Sequence, residues 1–454
     1  MTGVQTCALP ICDTLTGGVG DDHLFVGNLD IFSGNDAGDQ AYGGDGNDFI
    51  QFGIGGNNTG YGGAGNDNLS LRFDFSAITQ VNHLYGGDGN DSLSAGTGLG
   101  HLFGGAGNDV LGGQTGIAEA HGGAGNDLII INGSVTDPVA AGQVLDGGSG
   151  FDKLAWSGQL AGVVDLTASS FTSATGSQWL GIEVFSLFVG YTADTVLTFG
   201  AGNDKLDGSG SFALEVFGGA GNDSLIGRST DVHLNGGAGD DRLNSVFGEG
   251  TVLSGGKGND ILGLTNLGNA TLSGGAGTDI AHFGQSVNAS LLTGTAVSAA
   301  GTVRLSGIEG LTGSSQNDTL IGDAGDNQLY GGGFGSDVIT TGGGADTLLI
   351  AFFEGGTSHV TDFNHASDSI GLNGFTYPAG LPLGALDPSR LVFGSFATAP
   401  TPTILGPEFF YDRSNGNLWF EKDGTGSTSV VLAMVFDNHP ILNASDFIVG
   451  DFIS

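Results

Sequence analysis

Residues 85–131 read YGGDGNDSLSAGTGLGHLFGGAGNDVLGGQTGIAEAHGGAGNDLIII. Three copies of one phrase stand in this stretch, GGDGNDSLS from Gly86, GGAGNDVLG from Gly104 and GGAGNDLII from Gly122, evenly spaced at twice the length of the phrase. Self-similarity at a fixed period marks a stacked repeat architecture and is read before secondary structure. The phrase is GGxGxDxUx, with U a large apolar residue. Glycines at its first, second and fourth places (Gly86, Gly87, Gly89; Gly104, Gly105, Gly107; Gly122, Gly123, Gly125) allow the chain to reverse before the phrase reaches its Asp. The carbonyls then turn toward a shared cation, and the Asp at the sixth place (Asp91, Asp109, Asp127) supplies a hard anionic oxygen. The remainder of the phrase is predicted to form a short strand whose middle side chain points inward, because strand side chains alternate faces.

Working outward, the phrase stands earlier at Gly43 with Asp48 and at Gly62 with Asp67, and later at Gly147 as GGSGFDKLA with Asp152. It resumes as FGAGNDKLD from Phe199, with Gly202 and Asp204. Four further copies follow: Gly218, Gly219, Gly221 and Asp223; Gly236, Gly237, Gly239 and Asp241; Gly255, Gly256, Gly258 and Asp260; Gly274, Gly275, Gly277 and Asp279. A tight tandem over 313–349 sets Asp318 against Asp337 and Asn327 against Asp346, so both edges there are candidates for metal. The inward place reads Ile50, Leu69, Leu93, Leu111, Ile129, Leu225, Leu243 and Leu262.

Two nonapeptides make one coil. The phrases between the Asp turns, such as AGTGLGHLF (95–103), GQTGIAEAH (113–121) and GRSTDVHLN (227–235), keep the inward residues Leu102, Ala120 and Leu234 but lose the Asp. A cation between successive coils needs ligands one whole coil apart, at two nonapeptide lengths or a single residue more. The spacing therefore predicts a one-sided ladder over 86–130 and 199–279, with ordinary hydrogen bonds closing the other edge. Tyr42, Tyr61, Tyr85, Phe103, Phe217 and Tyr330 each precede a glycine turn and should point outward, either packed on neighbouring coils or free to grip a sugar or a partner.

The expected fold class is all-β: a right-handed parallel β-roll or β-helix solenoid with a β-rich C-terminal cap. The expected organisation is a first metal-binding block over 13–152, a metal-poor segment over 153–198, a second block over 199–282, a metal-poor segment over 283–312, a third block over 313–349, and a cap over 350–454. A larger duplication runs through it: GGSGFDKLAWSG leads to Gly181-Ile182-Glu183, as GGAGTDIAHFGQ leads to Gly307-Ile308-Glu309. The cap is needed because a solenoid end is otherwise an open sheet edge.

Composition restricts the partners. The 454 residues include 90 Gly and carry a formal charge of -38, from 48 Asp and Glu against 10 Lys and Arg. Nucleic acid and anionic membrane surfaces would be repelled, and divalent cations are the natural counter-charge. With 39% hydrophobic residues the chain has enough apolar surface to fold. No run of apolar residues is long enough to span a membrane as a helix. Cys7 and Cys12 are the only cysteines, and both lie in MTGVQTCALPIC, which matches neither the repeats nor a signal peptide with a basic start. Residues 1–12 resemble translated adapter sequence and are expected to be non-native, with a native N-terminus as the alternative.

Catalytic patterns are missing from the sequence: no HExxH, no GxSxG, no GxxxxGK[ST]. The nine histidines read as scattered surface or strand-end residues, and the acidic pairs Asp21-Asp22 and Asp240-Asp241 read as turn residues.

The repeats resemble those of RTX, or haemolysin-type, calcium-binding proteins, and the phrases HVTDFNHASDSIGL and FFYDRSNGNLWFEKDGTGS are similar to the C-terminal regions of that family. The resemblance implies several Ca2+ ions, export through the type I secretion machinery by an uncleaved C-terminal signal, and folding outside the cell. SDFIVGDFIS is compatible with such a signal. The turns at Phe199, Thr278, Gln316 and Asn327 depart from the family pattern, which lowers the expected calcium stoichiometry below one ion per repeat. Two functions remain open at this point. One is a calcium-binding structural region of a secreted or surface protein, with a surface or polysaccharide ligand undetermined. The other is the C-terminal module of an extracellular protease, lipase or polysaccharide-modifying enzyme.

The register yields a first test. Asp241 stands between Asp223 and Asp260 in the spacing, so Asp241→Ala should raise the calcium midpoint of folding, whereas Thr230→Ala, on the Asp-free edge, should leave it unchanged. Calcium titration against the far-ultraviolet β signal measures both, and equal shifts would refute the one-sided reading.

Overall fold

The computed structural model describes residues 4–6, 14–26, 36–53, 55–71, 81–95, 99–113, 117–132, 144–165, 170–172, 178–350, 356–373, 383–396, 398–404, 406–421 and 430–450. They fall into two compact units, Met1–Arg228 and Ser229–Ser454. Among the described residues there is no α-helix, only short 3-10 turns at Pro388–Arg390 and Ala444–Asp446. Regular helix has no place here, since glycine at this density disfavours it and the apolar residues recur with period two.

In the first unit every GGxGxD turn links a strand of one parallel stack to a strand of a second. One stack runs through Gln40–Asp45, Thr59–Ala64, Val81–Asp88, Leu99–Ala106, Ile117–Ala124 and Val144–Ser149. The other runs through Phe49–Phe52, Asn68–Leu71, Ser92–Ser94, Val110–Gly113, Leu128–Asn132 and Lys153–Asp165. These are the two walls of a β-roll. Its core is a pair of apolar columns in register: Leu84, Leu102, Ala120 and Leu145 from one wall, and Ile50, Leu69, Leu93, Leu111, Ile129 and Leu154 from the other, all buried. Leu225, the remaining inward position of this unit, is buried as well.

The step between Asp turns is 18 from Asp91 to Asp109 and again from Asp109 to Asp127, as the two-nonapeptide coil requires. Elsewhere the step widens to 24 from Asp67 to Asp91 and 25 from Asp127 to Asp152. The Asp turn keeps its length, and the longer steps contain 72–80 and 133–143, which lie outside the described residues. Past Asp152 the solenoid continues through two long strands, Lys153–Asp165 and Val184–Thr198, paired in parallel. The second of these follows one wall against Lys205–Gly210 and then the other against Leu214–Ala220. Val4–Thr6, within the stretch expected to be non-native, adds a parallel strand beside His23–Val26; the remainder of 1–12 lies outside the described residues.

In the second unit the walls are Val232–Ala238, Val252–Lys257, Ala270–Ala276 and Thr302–Ser306, and Arg242–Ser245, Ile261–Leu264, Ile280–Phe283 and Gly310–Thr312. Leu234, Leu243 and Leu262 face the core. The region 283–312 departs from a plain solenoid, because Asn288–Ser290, Thr295–Val297 and Thr302–Ser306 form an antiparallel excursion. Parallel pairing resumes through the tandem and reaches Ser358–Val360 and Ser369–Asn373. Beyond it, Glu408–Asp412, Asn417–Glu421 and Val431–Phe436 make an antiparallel meander. Phe409, Phe410, Tyr411, Phe420, Phe436 and Phe447 are buried there, replacing the leucine columns with aromatic bulk. The tail from 451 to 454 lies outside the described residues.

Leu102 is fully buried and stacked between Leu84 and Ala120, so Leu102→Ala should cost about 2–5 kcal/mol in the folded protein. Val110→Ala, on an outward place of the facing wall, should cost well under half as much. Denaturant titration in saturating calcium compares the two; a loss at Val110 equal to or greater than that at Leu102 would overturn the inward and outward assignment.

Candidate metal centre

From Asp48 to Asp152 the sixth-place aspartates form an unbroken row along one edge of the first unit. Each backbone N–H donates to the carboxylate of the next coil: Asp48 to Asp67 Oδ1 at 2.7 Å, Asp67 to Asp91 at 2.7 Å, Asp91 to Asp109 at 2.7 Å, Asp109 to Asp127 at 2.8 Å and Asp127 to Asp152 at 2.7 Å. The same rung joins Asp204 to Asp223 at 2.7 Å. In the second unit it joins Asp241 to Asp260 and Asp260 to Asp279, both at 2.8 Å, and Asp318 to Asp337 at 3.0 Å. On the opposite edge of the tandem, the Asn327 N–H donates to Asp346 Oδ1 at 2.9 Å.

At most rungs the N–H takes one carboxylate oxygen; at Asp337 the second oxygen is also used, accepting from Ser358 Oγ at 3.2 Å. The Oδ2 atoms of Asp48, Asp67, Asp91, Asp109, Asp127, Asp152, Asp204, Asp260, Asp279 and Asp346 are buried without a hydrogen-bond partner. A buried carboxylate oxygen with no donor is costly, and its recurrence at the same place in coil after coil asks for a cation. The glycines explain the space around it. A Cβ on Gly62, Gly86 or Gly104 would run into Oδ2 of its own turn's Asp, and into the next coil's Gly carbonyl at 2.5 Å. In the turn of Asp91, Gly87 and Gly89 adopt φ of 120° and 128°, which L side chains rarely reach.

Hard oxygen donors of this kind, a carboxylate beside converging carbonyls, suit Ca2+ chemically. Among the described residues no three His, Cys, Asp or Glu side chains form a metal-holding group. The acids are spread one per coil, so any ion held here would draw most of its ligands from backbone carbonyls.

Burial pushes the row's carboxyls up: Asp91 and Asp204 to about 7, and Asp67, Asp152, Asp260, Asp279, Asp337 and Asp346 to about 6. The backbone N–H at each rung pulls the other way and only partly offsets the lost hydration. Asp48, Asp109, Asp127 and Asp318 shift upward for the same reason.

The edge facing this row differs along the chain. Near its start, the Asp39 N–H donates to Asn58 Oδ1 at 3.0 Å and the Asn58 N–H to Asn82 at 2.9 Å, a second polar row that the nonapeptide pattern does not reveal. In the second unit the facing edge is closed by hydroxyls, with Ser245 Oγ and Thr251 Oγ1 both donating to the Phe247 carbonyl at 2.7 Å.

Three features escaped the sequence reading. The fifth-place Asn builds its own outer row, Asn66 to Asn47, Asn90 to Asn66, Asn108 to Asn90 and Asn126 to Asn108, at 2.6–2.7 Å; the repeated GND was the available signal. Glu183, Glu309 and Asp368 extend the Asp rows without a GGxGxD turn. The histidines are not all scattered, since His83 and His101 lie 4.9 Å apart and His101 and His121 flank Glu119. That grouping arises because a coil of two nonapeptides brings them onto neighbouring strands. The outward aromatics do stack, Tyr42 on Tyr61 on Tyr85 on Phe103 on His121, at 4.8–5.1 Å between rings. The faces of these four aromatics are spent on one another, as the packing alternative required of them, while Phe217 is exposed.

The repeat family described as RTX calcium-binding nonapeptide repeat (4 copies) matches residues 13–28, 29–55, 85–117, 217–252, 306–334 and 332–349. A comparison with curated proteins finds no match.

The raised carboxyls set a pH dependence. Unfolded aspartates titrate near 3.8 and the folded, metal-free ones up to about 7, so the fold binds more protons across that window. The stabilisation is complete below the lower value and is lost as pH rises through the upper one. In chelator, lowering the pH from 8 to about 5 should therefore increase β structure. A far-ultraviolet signal that is flat or falls over this range would contradict the burial of the row.

Proposed function

We propose that this chain, which carries RTX calcium-binding nonapeptide repeats on a parallel β-roll, is a non-catalytic region of a secreted or cell-surface protein that folds when calcium enters its Asp rows. The single observation that carries the reading is the partnerless buried Asp oxygen in its glycine cradle, repeated coil after coil. Asp48, Asp67, Asp91, Asp109, Asp127, Asp152, Asp204, Asp223, Asp241, Asp260, Asp279, Asp318, Asp337 and Asp346 would supply the anionic oxygens. The glycines before them would supply carbonyls. Bound calcium would neutralise the buried carboxylates and hold neighbouring coils together.

Export, which the repeat family implies, would exploit the same physics. A chain with 48 Asp and Glu whose rows repel without metal stays open where calcium is scarce, and folds where it is abundant. The tail beyond residue 350 would engage the type I secretion machinery. RTX repeats are typical of secreted proteins, and no helix of the described residues is long and apolar enough to cross a membrane.

In chelator at neutral pH the protein should be largely unfolded, and it should gain β structure cooperatively at about millimolar calcium. Magnesium should substitute poorly, because it demands a small regular octahedron and sheds water reluctantly. Circular dichroism titrations with each ion decide the matter: a spectrum indifferent to chelator, or equal folding by both ions, would overturn the reading.

A further inference from the structure

The duplicated Gly-Ile-Glu phrases lie outside every nonapeptide, yet each lands on the end of an Asp row. The Asp152 N–H donates to Glu183 Oε2 at 2.8 Å, and the Asp279 N–H to Glu309 Oε2 at 2.9 Å, the place that the next coil's Asp takes at every ordinary rung. The backbone repeats the substitution. Glu183 N–H and Val184 N–H both donate to the Asp152 carbonyl at 3.1 Å, and Glu309 N–H and Gly310 N–H to the Asp279 carbonyl at 3.0 and 2.8 Å. Gly181 and Gly307 share a φ of 54°, which turns their carbonyls toward the preceding turn. There the Gly181 carbonyl crowds Gly147 beside Asp152 Oδ2, and the Gly307 carbonyl crowds Gly274 beside Asp279 Oδ2. In the ordinary coil this is where the next turn's first Gly carbonyl sits, as Gly122 does over Gly104. The Gly307 carbonyl also accepts a long hydrogen bond from the Gly275 N–H at 3.3 Å, which leaves its second lone pair.

We infer that Gly181-Ile182-Glu183 and Gly307-Ile308-Glu309 are half-turns that complete a terminal calcium site on turns 147–152 and 274–279. Each stands in for a missing GGxGxD coil. The acid is a Glu because only one residue separates it from its glycine, where the nonapeptide places its Asp at the far end of the turn, so the side chain must span the distance that the longer loop would cover. Ile182 and Ile308 are buried and anchor the half-turn to the core. The second, independent mark of a ligand is the row's own terminal acid: Asp152 and Asp279 are 1% and 0% exposed, and their Oδ2 atoms have no protein partner. This inference rests on the calcium reading above and adds two ions that nonapeptide counting places incompletely.

Counting bound calcium by native mass spectrometry on the full chain tests it. Glu183→Gln and Glu309→Gln keep one carbonyl oxygen to accept the rung hydrogen bond and replace the other carboxylate oxygen, with its charge, by an NH2 that cannot ligate a cation. Each should bind one ion fewer than the parent, and the double variant two fewer, with circular dichroism in saturating calcium reporting the fold. A variant that folds only at raised calcium supports the assignment; one that no calcium concentration restores counts against it. Asp109→Asn, inside an ordinary rung, separates the two failures. If Asp109→Asn lowers the count while the Glu variants match the parent, the half-turn assignment falls alone. If the parent binds no calcium, the calcium reading falls and takes this assignment with it.

Discussion

The structure depends on one rung: a backbone N–H of one coil donating to the Asp carboxylate of the next, at 2.7–2.8 Å along the first row. The rung fixes coil-to-coil register on the turn edge, as the leucine columns fix it inside. It also strands a carboxylate oxygen in a buried, glycine-lined space, where hydration is lost and no donor replaces it. A fold that repeats this arrangement coil after coil accumulates charge it cannot neutralise from its own 10 Lys and Arg. On the function proposed above, folding and cation binding would be one equilibrium.

That constraint separates the two edges of the roll. On the Asp edge the loop length is held, because glycine conformation and carboxylate position must coincide at each coil. On the facing edge of the second unit ordinary hydrogen bonds suffice, as Ser245 and Thr251 illustrate. Variation collects where no shared ligand set forbids it. Where the Asp phrase stops, a Glu set close behind a glycine keeps the rung, so the row ends on an acceptor and the last N–H is not stranded.

The repeat, the inward columns and the Asp edge are legible in the order of residues, because each is a local pattern with a short period: glycine where φ must be positive, Asp at the sixth place, an apolar residue at the centre of a short strand. Leu93, Leu111 and Ile129 are buried as that period requires, and Asp91, Asp109 and Asp127 fall on one edge. What meets across coils of unequal length is set by the packing of the folded chain. Glu183 reaches Asp152 across a separation of 31 and Glu309 reaches Asp279 across one of 30, and no fixed period connects them. His83 and His101, by contrast, meet across one regular coil of two nonapeptides. Local spacing specifies how the backbone turns, whereas which side chains become neighbours depends on the number of residues each coil spends before it returns to the same height.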